Sequence, residues 1–253
     1  MGGRTYVVGD VHGDAVALRR LIDRISATRG FRAEDTLVFL GDYVDRGPDS
    51  RGVVEMVMRE LPATLPCRVV ALRGNHEDAW LRVIDQGWAE FLFPTNNGCA
   101  QCFRSFVDRP QGITVGDEFE KMSTGAFFPP DVVDWMRSLP LWYEDEHAIY
   151  VHAGLVREDG RWLHPAETPD PAALLWSRSR AFFMEYAGKM VICGHTSTTS
   201  LPAEASKYTP DDPTDLWAGD YVRVIDTGSG KGGYLTILEL PEQWVYESRD
   251  TSF

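Results

Sequence analysis

The sequence predicts an α/β fold in which helices cover a central sheet that is parallel at least in its first half. Three observations carry that expectation. Short, β-branched apolar runs recur along the chain, each ends in a polar and mostly glycine-bearing loop, and helix-period segments separate the first of them. Continuous apolar runs bounded by turn residues read as strands buried on both faces, and strand, loop, helix, strand in succession is the βαβ pattern.

The elements follow in order. TYVV (5–8) leads into GDVHGD, after which Leu18, Leu21, Ile22 and Ile25 take helical spacing, with Asp14 as N-cap and Gly30 as stop. TLVFL (36–40) leads into GDYVDRGP, and Val54, Val57, Met58 and Leu61 repeat the spacing behind a cap at Asp49 or Ser50. RVVAL (68–72) leads into RGNHED, where a third helix begins near Glu77 and ends by Gly87. Residues 88 to 143 are less regular and hold one further helix-like stretch, DVVDWMRSL, so they are expected to form an inserted helical lobe within a single domain spanning 1–253. AIYV then leads into HAGL, and MVIC into GHT. Residues 197 to 220 read as loop, with Pro202, Pro210 and Pro213. The closing runs YVRVIDTG, GGYLTILELP and QWVYES read as strands, forming either an antiparallel part of the sheet or a second sheet.

Composition narrows the function classes. With 253 residues, 43% of them hydrophobic, the chain can bury a full core. A formal net charge of −13 without any basic run argues against a nucleic-acid or anionic-membrane surface, so an anionic substrate has to be attracted locally. No apolar stretch approaches spanning length, and the N-terminus enters a strand-like run without the features of a secretion signal. Cys67 and Cys193 lie in apolar runs, while Cys99 and Cys102 form one isolated C-x-x-C without a second ligand pair at zinc spacing. Packing or surface thiols and a reducing, cytoplasmic location are the expectation.

The loops carry the chemistry. In an open α/β sheet ligands gather beyond the carboxyl ends of the strands, and the five loops there supply Asp10, His12, Asp42, Asp45, Asn75, His76, His152 and His195. Oxygen and imidazole donors without thiolates suit two divalent cations such as manganese, iron or zinc. Asp42 is placed to bridge them, Asp10 and His12 to hold one, and Asn75, His152 and His195 the other. That arrangement accounts for three aspartates in GDYVDRGPDS: Asp42 is neutralised by cations, Asp45 pairs with an imidazolium, and Asp49 caps a helix. His147 and His164 lack the strand-end context and are expected to be ordinary surface or core histidines.

GDVHG, GDYVDRG, RGNHE, HAG and GHT, in this order, resemble the signature of the calcineurin-like metallophosphoesterases, and among them the PPP serine/threonine protein phosphatases. NNGCAQCFRSF, LPLWYEDEHAIYVHAGL, LLWSRSR and VIDTGSGKGGYLTILEL resemble the bacterial and phage branch. The resemblance, which runs from about residue 5 to residue 240, implies a sandwich of mixed sheets flanked by helices around a bimetal site. It implies Asp10, His12 and Asp42 on one metal, and Asp42, Asn75, His152 and His195 on the other. It further implies an Asp45–His76 dyad that protonates the leaving oxygen, with Arg46, Arg73 and Arg178 on the phosphoryl oxygens and Arg180 as an alternative to Arg178. The implied reaction is hydrolysis of a phosphomonoester by in-line attack of a hydroxide shared between the metals. A phosphorylated protein is the first expectation for the substrate, because Arg46 and Glu77 match the protein phosphatases. Diadenosine tetraphosphate or another nucleotide is the alternative, although relatives of that type tend to carry GNHD where this chain has GNHE. A catalytically silent scaffold is disfavoured, since His76, Asp45 and every ligand position are retained. HAG stands where the eukaryotic enzymes have HGG, so their regulatory partners are not carried over.

Overall fold

The computed structural model describes residues 2–110 and 116–250. Its first half alternates as predicted: β1 (Thr5–Val8), α1 (Ala15–Thr28), β2 (Thr36–Phe39), α2 (Ser50–Glu55), α3 (Leu61–Thr64), β3 (Arg68–Ala71) and α4 (Asn75–Gln86). Then come α5 (Cys99–Phe106), α6 (Gly116–Met122) and α7 (Pro130–Ser138). The second half holds β4 (Trp142–Glu144), β5 (Ile149–Val151), a small hairpin of β6 (Arg157–Glu158) and β7 (Arg161–Trp162), α8 (Ala173–Trp176) and α9 (Arg180–Glu185). It closes with β8 (Val191–Cys193), β9 (Trp217–Ala218), β10 (Val222–Val224), β11 (Thr236–Leu240) and β12 (Trp244–Glu247).

Two five-stranded sheets result, ordered β12-β11-β1-β2-β3 and β4-β5-β8-β10-β9. β1, β2 and β3 are parallel, and so are β5, β8 and β10, while β11, β12, β4 and β9 pair antiparallel. The mixed sandwich implied by the resemblance is therefore present, and the two forms considered for the closing strands both occur. β10 joins the second sheet beside β8, whereas β11 pairs antiparallel with β1 and carries β12 as the edge of the first.

Side-chain alternation explains the layers. Val7, Val38, Leu40 and Val70 turn to the layer shared with Tyr150, Ile192 and Ile225 of the second sheet, while Tyr6, Val8, Leu37 and Phe39 pack under α1, α2, α4 and the helical segment after them. Asp14 caps α1 by accepting from the Ala17 N–H at 3.0 Å, and Asp49 caps α2 by accepting from the Gly52 N–H at 2.8 Å, which decides between Asp49 and Ser50. Between α2 and α3 the helix widens into a π-helical turn over Met56–Glu60. Pro62 has no N–H to offer the preceding turn, and the ladder slips there. Among the described residues no helix is long and apolar enough to cross a membrane.

Candidate metal centre

Because β1, β2 and β3 run parallel, their carboxyl ends lie on one edge of the first sheet, and those of β5, β8 and β10 on one edge of the second. The loops leaving these edges meet. Asp10 and His12 follow β1, Asp42 and Asp45 follow β2, Asn75 and His76 open α4 after β3, His152 follows β5, and His195 follows β8. All eight are buried.

The backbone turns sharply to achieve this. His12, Asp42, Asp45, Arg46 and His195 all have positive φ, between 46° and 71°, a region that costs any residue with a Cβ about 1–3 kcal/mol. Two glycines serve close approach instead. A Cβ on Gly74 would strike the backbone nitrogen and a carboxylate oxygen of Asp42, and one on Gly194 would strike the Asp10 carboxylate.

The donor set is nearly all acceptor. His12 Nδ1 donates to the Val44 carbonyl at 3.0 Å, which turns the lone pair of Nε2 toward Asp42 Oδ2 at 3.3 Å and Asp10 Oδ2 at 4.0 Å. His152 Nδ1 donates to the Leu40 carbonyl at 2.9 Å, which leaves Nε2 facing Asn75 Oδ1 at 2.9 Å and Asp42 Oδ1 at 3.5 Å. His195 Nδ1 lies 2.8 Å from the same Asn75 oxygen, and its Nε2 is buried without a hydrogen-bond partner. Burial, with the Arg46 charge second, pushes the His12 imidazole down to about 3. Burial, followed by His152 and Arg178, pushes His195 down to about 2, and burial lowers His152 as well. All three rings are thus neutral and have a lone pair to give. Burial, with the charges of Asp226 and Asp42 behind it, drives the Asp10 carboxyl well above its usual range. Cations among these groups would neutralise the carboxylates and accept the imidazole lone pairs. Two overlapping groups meet the distance requirement for an ion, His12–Asp42–His76 and Asp10–Asp42–His152, and Asp42 belongs to both, as a bridging ligand would.

Beside the cluster, Asp45 Oδ2 lies 2.6 Å from His76 Nδ1, the predicted pairing. His76 Nε2 points back into the site, 4.0 Å from Asp42 Oδ2. Arg46 is half-buried and its guanidinium touches His12 Nε2. Arg178 is exposed and donates to the His195 carbonyl at 3.1 Å and to Thr196 Oγ1 at 3.5 Å, so it stands at the rim, whereas Arg180 is the exposed first residue of α9. Arg73 departs from the expectation. Its Nη2 donates to the Arg137 carbonyl at the end of α7, 2.6 Å away, so the guanidinium serves the helical segment rather than the cluster. His147 and His164 lie elsewhere, against the Gly3 carbonyl and Glu144.

Two participants escaped the sequence reading. Asp226, buried just after β10, sits near Asp10 and binds Lys231 Nζ at 2.9 Å. VIDTG obeys the same strand-then-polar-loop rule as the other five and was the signal available. Glu77 is fully buried and accepts from the N–H groups of Asp42, Tyr43, Val44 and Gly74 at 2.8–3.3 Å, which ties the β2 loop to the start of α4.

Residues 3–198 match the sequence description of the calcineurin-like phosphoesterases. The chain belongs to this family. Among curated proteins, this chain is 28% identical over 152 residues to the symmetrical bis(5'-nucleosyl)-tetraphosphatase of Dechloromonas aromatica (strain RCB), a match covering 60% of this chain and 44% of that one. It is 42% identical over only 72 residues to serine/threonine-protein phosphatase 1 of Salmonella typhimurium (strain LT2), 28% of this chain and 29% of that one. The chain spans about half the length, or less, of such curated relatives. A crystal structure assigned provisionally as a diadenosine tetraphosphatase superposes with a TM-score of 0.58 at 20% identity, covering 98% of this chain and 93% of that one, and so shares the fold.

Proposed function

We propose that the protein is a metal-dependent phosphohydrolase whose preferred substrate is a dinucleoside polyphosphate, cleaved at a P–O–P bond. The observation that carries the polyphosphate reading is a polar cleft of about 400 Å³ next to the cluster, lined by Arg46, Lys231, Thr95, Asn96, Gln101 and two glycines. Gly230 packs against the backbone carbonyl and Cβ of His12, and Arg46, which lines the same cleft, touches His12 Nε2, so the cleft lies beside the cluster. On a chain of net charge −13, Lys231, which also pairs with Asp226, adds a cation beside Arg46, so a further phosphate group can be held next to the one that Arg46 orients. The longer match to a bis(5'-nucleosyl)-tetraphosphatase supports the same choice.

This reverses the order expected from the motif wording. GNHE had favoured a phosphoprotein, yet Glu77 is fully buried among four backbone N–H groups and cannot touch a substrate, so its identity says nothing about substrate class. Phosphoprotein hydrolysis stands second, favoured by the short 42% match to a serine/threonine phosphatase.

In this reading Asp10, His12 and Asp42 hold one divalent ion, and Asp42, Asn75, His152 and His195 hold another, manganese being the first choice. Bound ions supply positive charge to the phosphoryl oxygens and lower the pKa of the attacking water. Arg46 and Arg178 orient the phosphoryl group by charge-assisted hydrogen bonds. As the bond from phosphorus to the leaving oxygen breaks, that oxygen takes the proton from His76 Nε2, and Asp45 holds the ring by its Nδ1–H. Residues 88 to 143 act as a lobe of one catalytic unit.

Manganese-reconstituted protein assayed on diadenosine tetraphosphate, a phosphoserine peptide and p-nitrophenyl phosphate tests the proposal. A kcat/KM on the nucleotide about a hundredfold above that on the peptide, equal to about 2.7 kcal/mol in barrier, is expected. The reverse ranking would return the phosphoprotein to first place, and no turnover of any of the three would end the hydrolase reading.

A further inference from the structure

The structure assigns Trp80 as the positioning residue of the Asp45–His76 pair, an indole N–H that holds the carboxylate so that the carboxylate can hold the imidazole. Trp80 lies four residues after His76 on α4, one turn further along the same face. Its Nε1 is 2.9 Å from Asp45 Oδ1 and 3.1 Å from Asp45 Oδ2. Asp45 is completely buried. His76 Nδ1 occupies Oδ2, so the indole supplies the donor that Oδ1 would otherwise lack.

An indole N–H suits this task for a chemical reason. It donates and never accepts, so it cannot take a proton from the pair or compete with the imidazole for one. It fixes the plane of the carboxylate, and with it the direction of His76 Nε2. Trp80 is itself locked: it is fully buried, and the rings of Phe91, Phe127 and Phe128 stand nearly perpendicular to it at 5.1–5.9 Å. Phe91 also stands edge-on to His76 at 5.4 Å. Three rings from the segment between α4 and α7 thus brace the acid pair, which gives that segment a task beyond covering the core.

The inference rests on the proposed hydrolase reading, with His76 as the acid. A residue that acts only through the proton donor should matter in proportion to how much the leaving oxygen needs the proton. The experiment compares W80F, H76N and the double variant on p-nitrophenyl phosphate, whose leaving group departs readily as an anion, and on an alkyl phosphate, whose leaving group does not. W80F should lower kcat on the alkyl ester by about tenfold to a hundredfold, part of the roughly 10²–10⁴-fold a general acid contributes, with KM unchanged and with less than about threefold loss on the aryl ester. In the H76N background the same substitution should cost nothing further. Should W80F unfold the core, site-specific incorporation of β-(3-benzothienyl)alanine at position 80 removes the N–H while keeping the ring shape, and the same leaving-group bias is expected. Equal losses on both esters, or a full additional loss on top of H76N, would show that Trp80 is only a packing residue. If H76N itself shows no leaving-group bias while the wild type hydrolyses both esters, the acid assignment falls, and the role of Trp80 with it.

Discussion

Replacing Glu77 by Gln tests whether the β2 loop is held by a buried carboxylate. Oε1 accepts from Tyr43 and Val44, and Oε2 from Asp42 and Gly74. A glutamine keeps one oxygen, and so one pair of these bonds, but presents its NH₂ group to the other pair of N–H donors. Two buried amides then lose their acceptor, at about 1–3 kcal/mol each, for a total of about 2–6 kcal/mol. That is a large share of the roughly 5–15 kcal/mol by which a domain is stable. Urea unfolding followed by circular dichroism, with E77Q and wild type extrapolated at equal slope, measures the difference. An E77Q protein within about 0.5 kcal/mol of wild type would refute the reasoning, because it would mean that the four backbone donors do not depend on both oxygens of this side chain. E77D, one methylene too short to reach the loop, should also lose stability, yet it should leave the ranking of nucleotide over phosphopeptide unchanged.

Three further outcomes follow from named contacts. Gly194→Ala places a methyl group against the Asp10 carboxylate, so titration calorimetry should show manganese affinity falling by at least about tenfold; unchanged affinity would remove Asp10 from the ligand set. Asp35 is buried, which opposes its charge, yet the side chain and backbone N–H of Arg4 and the backbone N–H of Arg32 hold it below the usual carboxylate range. Its contribution to stability is complete above its unfolded value and is lost as pH falls through the lower folded value, so D35N should show a flatter acid limb than wild type in unfolding measured from about pH 5 to pH 2. Cys67, Cys99, Cys102 and Cys193 are all buried, and burial pushes the Cys67 thiol up to about 11, so a disulfide reagent at mild alkaline pH should label none of them before unfolding and all four after it; rapid labelling of native protein would contradict that placement.

The strand-end loops were legible because each pairs a buried apolar run with residues whose lone pairs have no reason to gather without a cation. That Asp10, His12, Asp42, Asn75, His152 and His195 come together could therefore be expected from local context, and the Asp14 and Asp49 caps from their position ahead of a periodic run. Sheet membership was not legible in that way. TLVF and VIC look alike as strings, and which sheet each joins is decided by pairing across long separations, as when β11 returns to β1. The roles of Glu77 and Trp80 also escaped, since they lie in contacts with the β2 loop and with Asp45 that no local pattern announces, whereas Asp226 was passed over although VIDTG has the same strand-then-polar-loop form. Arg73, an arginine inside a motif, has its Nη2 hydrogen-bonded to a carbonyl at the end of α7, a contact that no local pattern announces.

Anomalous diffraction at the manganese edge, recorded from crystals grown with Mn²⁺, bears most directly on a centre assembled from five strand ends. Two peaks are predicted, one bonded to Asp10, His12 and Asp42 and the other to Asp42, Asn75, His152 and His195, with Asp42 common to both. A map without a peak at these residues, or with its only peaks at surface carboxylates, would contradict it.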